Sequence, residues 1–273
     1  MKRILMAAAI VTVFTASPTM AAIYSGTTLN NYTVTLVDLD LEDSITPSIT
    51  FQQRFDNLYG YVLGPNSPDP YSANDENIAP ISKTSTNNIN TATSSISGTT
   101  FESLSLQVSG SSLEKQANVE SFGYFASVGN STFFTLSANT RVNFTLNTLN
   151  YIDTTKGTAE DGFAYTTAHL EVRGYNLRDE VIVNFNTDDE GVYIPGFSDG
   201  SSDNTFSQLS TLSVFLDNKD TSELLGLVIS NASTTGTVFA ATPSAVPVPA
   251  ALPLMASALG LFGLSRRKNK ATV

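Results

Sequence analysis

The chain has 273 residues, of which 41% are hydrophobic and 10% aromatic, with no cysteine and a formal net charge of -11. This apolar content supports a folded core and excludes a disordered chain, while the absence of cysteine excludes disulfides, thiolate metal sites and a lipidated cysteine. All 25 acids lie between Asp38 and Glu223, whereas six of the 14 bases lie at the two ends. An acidic body of this kind repels phosphate, so no nucleic-acid partner is expected.

The first 22 residues have the three parts of a secretory signal peptide. Lys2 and Arg3 form a basic start, an apolar run extends from Ile4 to Phe14, and small residues lead to Ala21 and Ala22. The apolar run is shorter than a typical membrane-spanning helix, and no amphipathic segment follows it. Residues 1–22 are therefore predicted to be a signal peptide, cleaved after Ala21 or Ala22.

Residues 23–241 alternate between apolar and polar side chains, which is typical of half-buried strands. In chain order the alternating runs are Tyr32–Leu36, Ser48–Gln53, Phe101–Val108, Phe122–Val128, Arg141–Leu146, Ala168–Arg173, Val181–Phe185, Leu212–Leu216, Leu225–Ile229 and Thr237–Ala241. No segment shows a sustained helical period. The pattern predicts an all-β domain, an antiparallel β-sandwich or jelly roll of about ten strands.

Two long polar segments are predicted to be loops at the rim of the sandwich, residues 64–97 and 188–205. The second segment contains five acids that could converge on Ca²⁺: Asp188, Asp189, Glu190, Asp199 and Asp203. Hard cations prefer several oxygen ligands on flexible loops, although the spacing is not that of an EF-hand. A solvated acidic rim is the alternative. No other cofactor is predicted.

Asp38, Asp40 and Glu42 are predicted to share one strand face. They could bind a metal ion or form a polar edge that discourages aggregation.

The sequence contains no readable active site. The single histidine, His169, is predicted to lie on the polar face of its strand, where it is a surface residue and not a catalyst. A glycosidase would need two carboxyl groups at a set separation, which the sequence does not reveal. Tryptophan is absent. Several tyrosines could stack on sugars from loops, but most are expected to be half-buried aromatics on strands. These tyrosines are Tyr24, Tyr59, Tyr61, Tyr71, Tyr165, Tyr175 and Tyr193.

Residues 242–273 form a second export-related segment. A small-residue linker leads to Val246, Pro247, Val248, Pro249 and Ala250, in which two prolines exclude a helix interior. An uncharged stretch of 15 residues follows from Ala250 to Leu264, short of the ~20 residues of a full membrane span. Arg266, Arg267 and Lys268 close it, and such bases stay on the cytoplasmic side. The body between the two apolar segments is therefore expected outside the inner membrane.

The Val-Pro-Val-Pro-Ala motif, the apolar helix and the basic cluster resemble the VPLPA-type PEP-CTERM sorting signal, with Val248 where that family has leucine. The resemblance covers about a tenth of the chain. It implies transient anchoring through a C-terminal transmembrane helix, recognition and cleavage by an exosortase, and delivery to the cell surface or exopolysaccharide matrix of a Gram-negative bacterium. A C-terminal anchor that is never processed is the alternative interpretation of this tail.

These observations predict an exported surface or matrix protein, non-enzymatic, with an adhesive or structural role in a biofilm. Its expected partners are the Sec translocon, an exosortase and an exopolysaccharide. A carbohydrate-active enzyme exported by the same route, and a permanently anchored envelope protein, are the alternatives.

Overall fold

The computed structural model describes residues 22–76, 79–112, 121–155, 162–176, 181–194 and 204–239. These residues form twelve strands. In chain order they are β1 (Ala22–Asp38), β2 (Ile49–Leu63), β3 (Tyr71–Glu76), β4 (Ile81–Thr86), β5 (Asn90–Ser97), β6 (Ser105–Ser112), β7 (Ser121–Leu136), β8 (Thr140–Thr155), β9 (Gly162–Asn176), β10 (Val181–Ile194), β11 (Asn204–Asn218) and β12 (Leu224–Phe239). No helix that could span a membrane occurs in these ranges.

The strands build two six-stranded sheets in which every described pairing is antiparallel. Sheet A has the order β11-β8-β1-β6-β5-β4, and sheet B has the order β10-β9-β12-β7-β2-β3. The sheets pack face to face, with β1 opposite β12, β6 opposite β7 and β11 opposite β10. The prediction of an all-β antiparallel sandwich is confirmed, with twelve strands where about ten were expected.

The core forms because alternate residues of the long strands point between the sheets. Phe122, Tyr124, Ala126 and Val128 of β7 all face inward and are buried, as their alternation predicts. At one end of the sandwich, aromatic side chains from both sheets pack together. The ring centroids of Phe101 and Phe144 lie 5.4 Å apart and those of Phe134 and Phe144 lie 5.2 Å apart, spacings typical of favourable aromatic pairs.

The predicted loop at residues 64–97 is wrong, because three strands, β3, β4 and β5, lie within it. The inward residues of β5 include Ala92, Ser94 and Ile96, all of them buried. Small and hydroxyl side chains at inward positions hide the apolar alternation on which the prediction depended. The predicted strand at Phe101 starts too early, because β6 begins at Ser105 and the buried Phe101 lies in the preceding turn.

Several strand ends also differ from the prediction. β10 continues through Asp188, Asp189 and Glu190 to Ile194, so the predicted loop at 188–205 is wrong at its start and at Asn204–Thr205, where β11 begins. β12 joins the two runs predicted at 225–229 and 237–241 into one strand. Leu225, Leu227 and Ile229 do share one face, but Val228 on the opposite face is the residue in the core.

The predicted strand face of Asp38, Asp40 and Glu42 is also wrong. β1 ends at Asp38, and the next residues turn, with the main-chain N–H of Asp40 donating to Oδ1 of Asp38 and that of Glu42 donating to Oδ1 of Asp40. The predicted signal helix and C-terminal helix lie outside the described residues, apart from Ala22, which opens β1.

Candidate functional site

The outer face of sheet B carries a row of polar residues that crosses the strands. Strand register places Asn57 of β2 beside Gly129 of β7, Gly129 beside Asn231 of β12, and Asn231 beside His169 of β9. Asp189 of β10 is the next neighbour of His169. We call these five residues the polar row. It brings together residues far apart in sequence, because β12 and β7 are central strands of the sheet.

Gly129 lets two amide groups meet at the centre of the polar row. A Cβ atom at this position would overlap Oδ1 of Asn231 and would lie 2.8 Å from Oδ1 and 2.9 Å from Nδ2 of Asn57. The amides therefore lie directly over the glycine. Neither amide makes a side-chain hydrogen bond with another described residue. Both amides can therefore form hydrogen bonds with a molecule that binds to this face.

Aromatic side chains border the polar row on both sides. On one side, the rings of Tyr61 and Phe125 stack with centroids 5.6 Å apart, and the ring of Tyr59 lies 5.9 Å from each of them. Tyr59 is 42% exposed. On the other side, the rings of Phe55 and Phe133 meet edge to face at 6.3 Å. The result is a platform of apolar rings on either side of free amide groups.

One end of the polar row is a cluster of hydrogen-bonded titratable side chains around His169. Its Nδ1 contacts Oδ1 of Asp189, and its Nε2 lies 3.2 Å from Oε2 of Glu171, which also pairs with Nε of Arg173. Burial of Glu171 acts to raise the pKa of its carboxyl group, but hydrogen bonds from Arg173 and His169 outweigh burial and hold that pKa below its usual value. The prediction that His169 faces away from the core among charged neighbours is confirmed.

The predicted calcium ligands on β10 do not converge. Successive residues of a strand point to opposite faces, so Asp189 faces outward with His169 while Asp188 and Glu190 face the other way. Oδ2 of Asp188 accepts a hydrogen bond of 2.9 Å from the main-chain N–H of Ser213, and Oε1 of Glu190 accepts from Nε2 of Gln208. No group of three or more His, Cys, Asp or Glu side chains in the described ranges is arranged to hold a metal ion.

All seven tyrosines named in the sequence analysis lie on strands, as expected for strand aromatics, and none lies on a loop. Tyr59 and Tyr61 border the polar row, and Tyr165, on β9, is 39% exposed. Tyr71 is different, because its hydroxyl bonds Oγ of Ser94 at 2.7 Å. The remaining three lie on β1, β9 and β10: Tyr24, Tyr175 and Tyr193.

A buried Arg54–Asp56 pair, which the pattern of apolar and polar residues does not predict, lies inside the sandwich. Asp56 is fully buried and accepts hydrogen bonds from Nη2 of Arg54 at 3.0 Å, Nδ2 of Asn130 at 2.8 Å and the main-chain N–H of Ala79 at 3.3 Å. Nη1 of Arg54 donates to the main-chain oxygen of Gly98 at 3.2 Å, which ties β2 to the turn before β6. These bonds compensate for much of the cost of burying two charges.

The pattern does not predict this pair because β2 has a β-bulge between Phe51 and Arg54. Before the bulge the odd-numbered Phe51 packs against the core, and after it the even-numbered Arg54, Asp56 and Leu58 face inward. The alternation therefore breaks near Gln53, where the predicted strand ended. The polar row was missed for another reason, because it depends on which strands are neighbours.

The remaining predicted residues lie outside the described ranges: Asp199, Asp203, Val246, Pro247, Val248, Pro249, Ala250, Arg266, Arg267 and Lys268. No protein-family model matches the chain, and comparisons with curated proteins and with solved structures find no significant similarity.

Proposed function

We propose that this chain is an exported, exosortase-processed protein of the cell surface or extracellular matrix, in which the sandwich has an adhesive, non-enzymatic role. The two terminal segments support export and sorting. The Sec translocon and an exosortase are the proposed processing partners, and an exopolysaccharide is the proposed ligand.

The platform on the outer face of sheet B is the observation that supports an exopolysaccharide as the ligand. Sugars present apolar C–H faces, which pack on aromatic rings, and hydroxyl groups, which bond to amides. Tyr59 and the rings beside it can pack against the C–H faces of a sugar. The amides of Asn57 and Asn231 can form hydrogen bonds with its hydroxyl groups. The centre of the platform carries no charge, which favours a neutral stretch of polysaccharide.

The alternative of an exported glycosidase gains no support from the buried carboxylates of the described residues. Asp56 and Glu171 lie on opposite faces of sheet B, and an arginine holds each of them. A glycosidase needs two carboxyl groups that flank one glycosidic bond.

A polysaccharide array, probed with the full-length chain, tests the ligand. We expect binding to neutral glycans, and we expect Gly129→Ala to weaken it about tenfold or more, close to 1.4 kcal/mol, because the new methyl group displaces both amides. Arrays with Ca²⁺ and with a chelator decide whether a metal ion takes part.

Gly191→Ala is the matched control. A Cβ at Gly191, on the same face of sheet B, would meet no atom closer than 3.2 Å. Unchanged glycan binding by Gly129→Ala, with both variants folded, would exclude this platform as the site.

Mass spectrometry of the mature C-terminus tests sorting in a host that carries an exosortase. We expect the mature chain to lack the residues after the proline motif, and a Pro247→Ala/Pro249→Ala variant to retain them. Pro243→Ala, which lies outside the motif, is the control. An intact tail on the mature wild-type chain would favour the permanent anchor.

A further inference from the structure

Among the four sheet edges that the described residues form, one lacks the protection that the other three carry. Natural proteins protect edge strands by keeping them short or by placing charges on them. β3 has 6 residues and includes Asp75 and Glu76, and β4 has 6 residues and includes Lys83. β10 carries three adjacent acids. β11 has 15 residues, with no charged residue and no proline from Asn204 to Leu216.

Part of the outward main chain of β11 is already occupied. The N–H of Ser213 donates to Asp188, and the N–H of Phe215 donates to Oδ1 of Asn186 at 3.3 Å. Main-chain groups point alternately to the two sides of a strand, and β11 pairs with β8 without a bulge. The odd-numbered residues of β11 therefore point their N–H and C=O groups away from β8.

Four of these odd-numbered residues have outward main-chain groups with no hydrogen-bond partner among the described residues: Thr205, Ser207, Leu209 and Thr211. The exposed face of the same segment is apolar at its centre. Leu209 is 76% exposed and lies beside Leu149 of β8, which is 37% exposed. An open backbone edge and an exposed leucine pair thus coincide.

We propose that β11 pairs antiparallel with β11 of a second copy of this chain, across a two-fold axis at Leu209. In this register Ser207 of each copy faces Thr211 of the other, and the two Leu209 residues become cross-strand neighbours. About six main-chain hydrogen bonds form. The contact joins both leucine pairs into one apolar patch of four side chains.

The occupant is a second copy because of charge and symmetry. The chain is acidic, with 25 acids against 14 bases, so most contacts between two copies bring like charges together. The β11 edge is uncharged over 204–216, and the nearby carboxylates of Asp188 and Glu190 already bond to Ser213 and Gln208. An antiparallel pairing uses the same strand of both copies, so it closes at a dimer.

The mass of the full-length chain in solution, measured by light scattering across a range of concentrations, tests the dimer. We expect the wild type to reach twice the monomer mass. Leu209→Lys and Ser207→Pro should each halve that mass, the first by placing like charges opposite each other and the second by removing an outward N–H. Gln107→Lys is the control, because it adds the same charge to an exposed position of the central strand β6.

A wild type that stays monomeric at every concentration, or a folded Leu209→Lys or Ser207→Pro variant that still dimerises, would overturn the proposal. Circular dichroism establishes that each variant is folded. Hydrogen exchange of the wild type gives a second measurement that needs no variant. The outward amides of Ser207, Leu209 and Thr211 should exchange more slowly as the concentration rises, and equal exchange at all concentrations would also overturn the dimer.

Discussion

Asp56 shows how a single buried residue can control the stability of this sandwich. Its carboxylate accepts three hydrogen bonds, and Arg54 beside it is 5% exposed. Replacing Asp56 by alanine leaves the guanidinium of Arg54 charged, buried and without its carboxylate. We expect Asp56→Ala to lower the free energy of unfolding by about 3–5 kcal/mol, measured by urea denaturation.

The double variant Arg54→Met/Asp56→Leu is the control for this prediction. It removes both charges and keeps most of the volume, so we expect it to be more stable than Asp56→Ala. A loss below about 1 kcal/mol in Asp56→Ala would mean that water solvates Arg54 and that the pair is not truly buried.

Glu171 gives a residue-level prediction about pH. Its pKa is lower in the folded protein than in the unfolded chain. The ionised form therefore stabilises the fold above the unfolded pKa of about 4.3, and this contribution disappears as the pH falls through the folded value. We expect Glu171→Gln to cost about 1 kcal/mol at pH 7, and the difference from wild type to shrink as the solution is acidified toward pH ~3.

Glu76→Gln is the matched control for Glu171, because Glu76 lies exposed on the edge strand β3. The comparison uses urea denaturation of both variants at several pH values. A difference between wild type and Glu171→Gln that stays constant with pH would show that the ion pairs do not set its stability effect.

At the scale of elements, β10 protects part of the neighbouring edge of sheet A through its side chains. Asp188 and Asn186 reach across to the main chain of β11, which is the outermost strand of sheet A among the described residues. We expect Asp188→Ala to accelerate hydrogen exchange at the amide of Ser213, measured at low protein concentration. The amide of Phe215, which Asn186 holds, is the internal control, and unchanged exchange at Ser213 would contradict this role of Asp188.

The pattern of apolar and polar residues predicts some of the strands and not others. β7, β8 and β9 alternate large apolar with polar residues, so their existence and inward faces follow from the pattern alone. The pattern does not predict β5, because small side chains such as Ala92 and Ser94 fill its inward positions. β2 was cut short because its bulge changes which residues face inward. Alternation along one strand reveals neither the small inward side chains of β5 nor the bulge in β2.

The polar row could not be predicted from local pattern. It requires that Asn57, Gly129 and Asn231 stand side by side, which depends on the order and register of β2, β7 and β12. Order and register arise from pairings between distant parts of the chain. The outward orientation of His169 can be predicted, because it follows from the alternation of residues within β9 alone.

At the scale of the whole molecule, β12 holds sheet B together. β12 lies between β9 and β7, so sheet B without it consists of two separate pieces, β10-β9 and β7-β2-β3. We expect a chain that ends at Glu223 to show no cooperative thermal unfolding, whereas a chain that ends at Phe239 should unfold cooperatively. Circular dichroism measures both, and a cooperative transition in the shorter chain would contradict the prediction.

The position of β12 also links completion of sheet B to the proposed sorting route. The strand ends at Phe239, and the proline motif starts only seven residues later at Val246. A product that ends before Leu224 therefore lacks both β12 and the proposed sorting signal. In the proposed sorting route, such a chain can neither complete sheet B nor be delivered to the matrix, so it stays open to proteases.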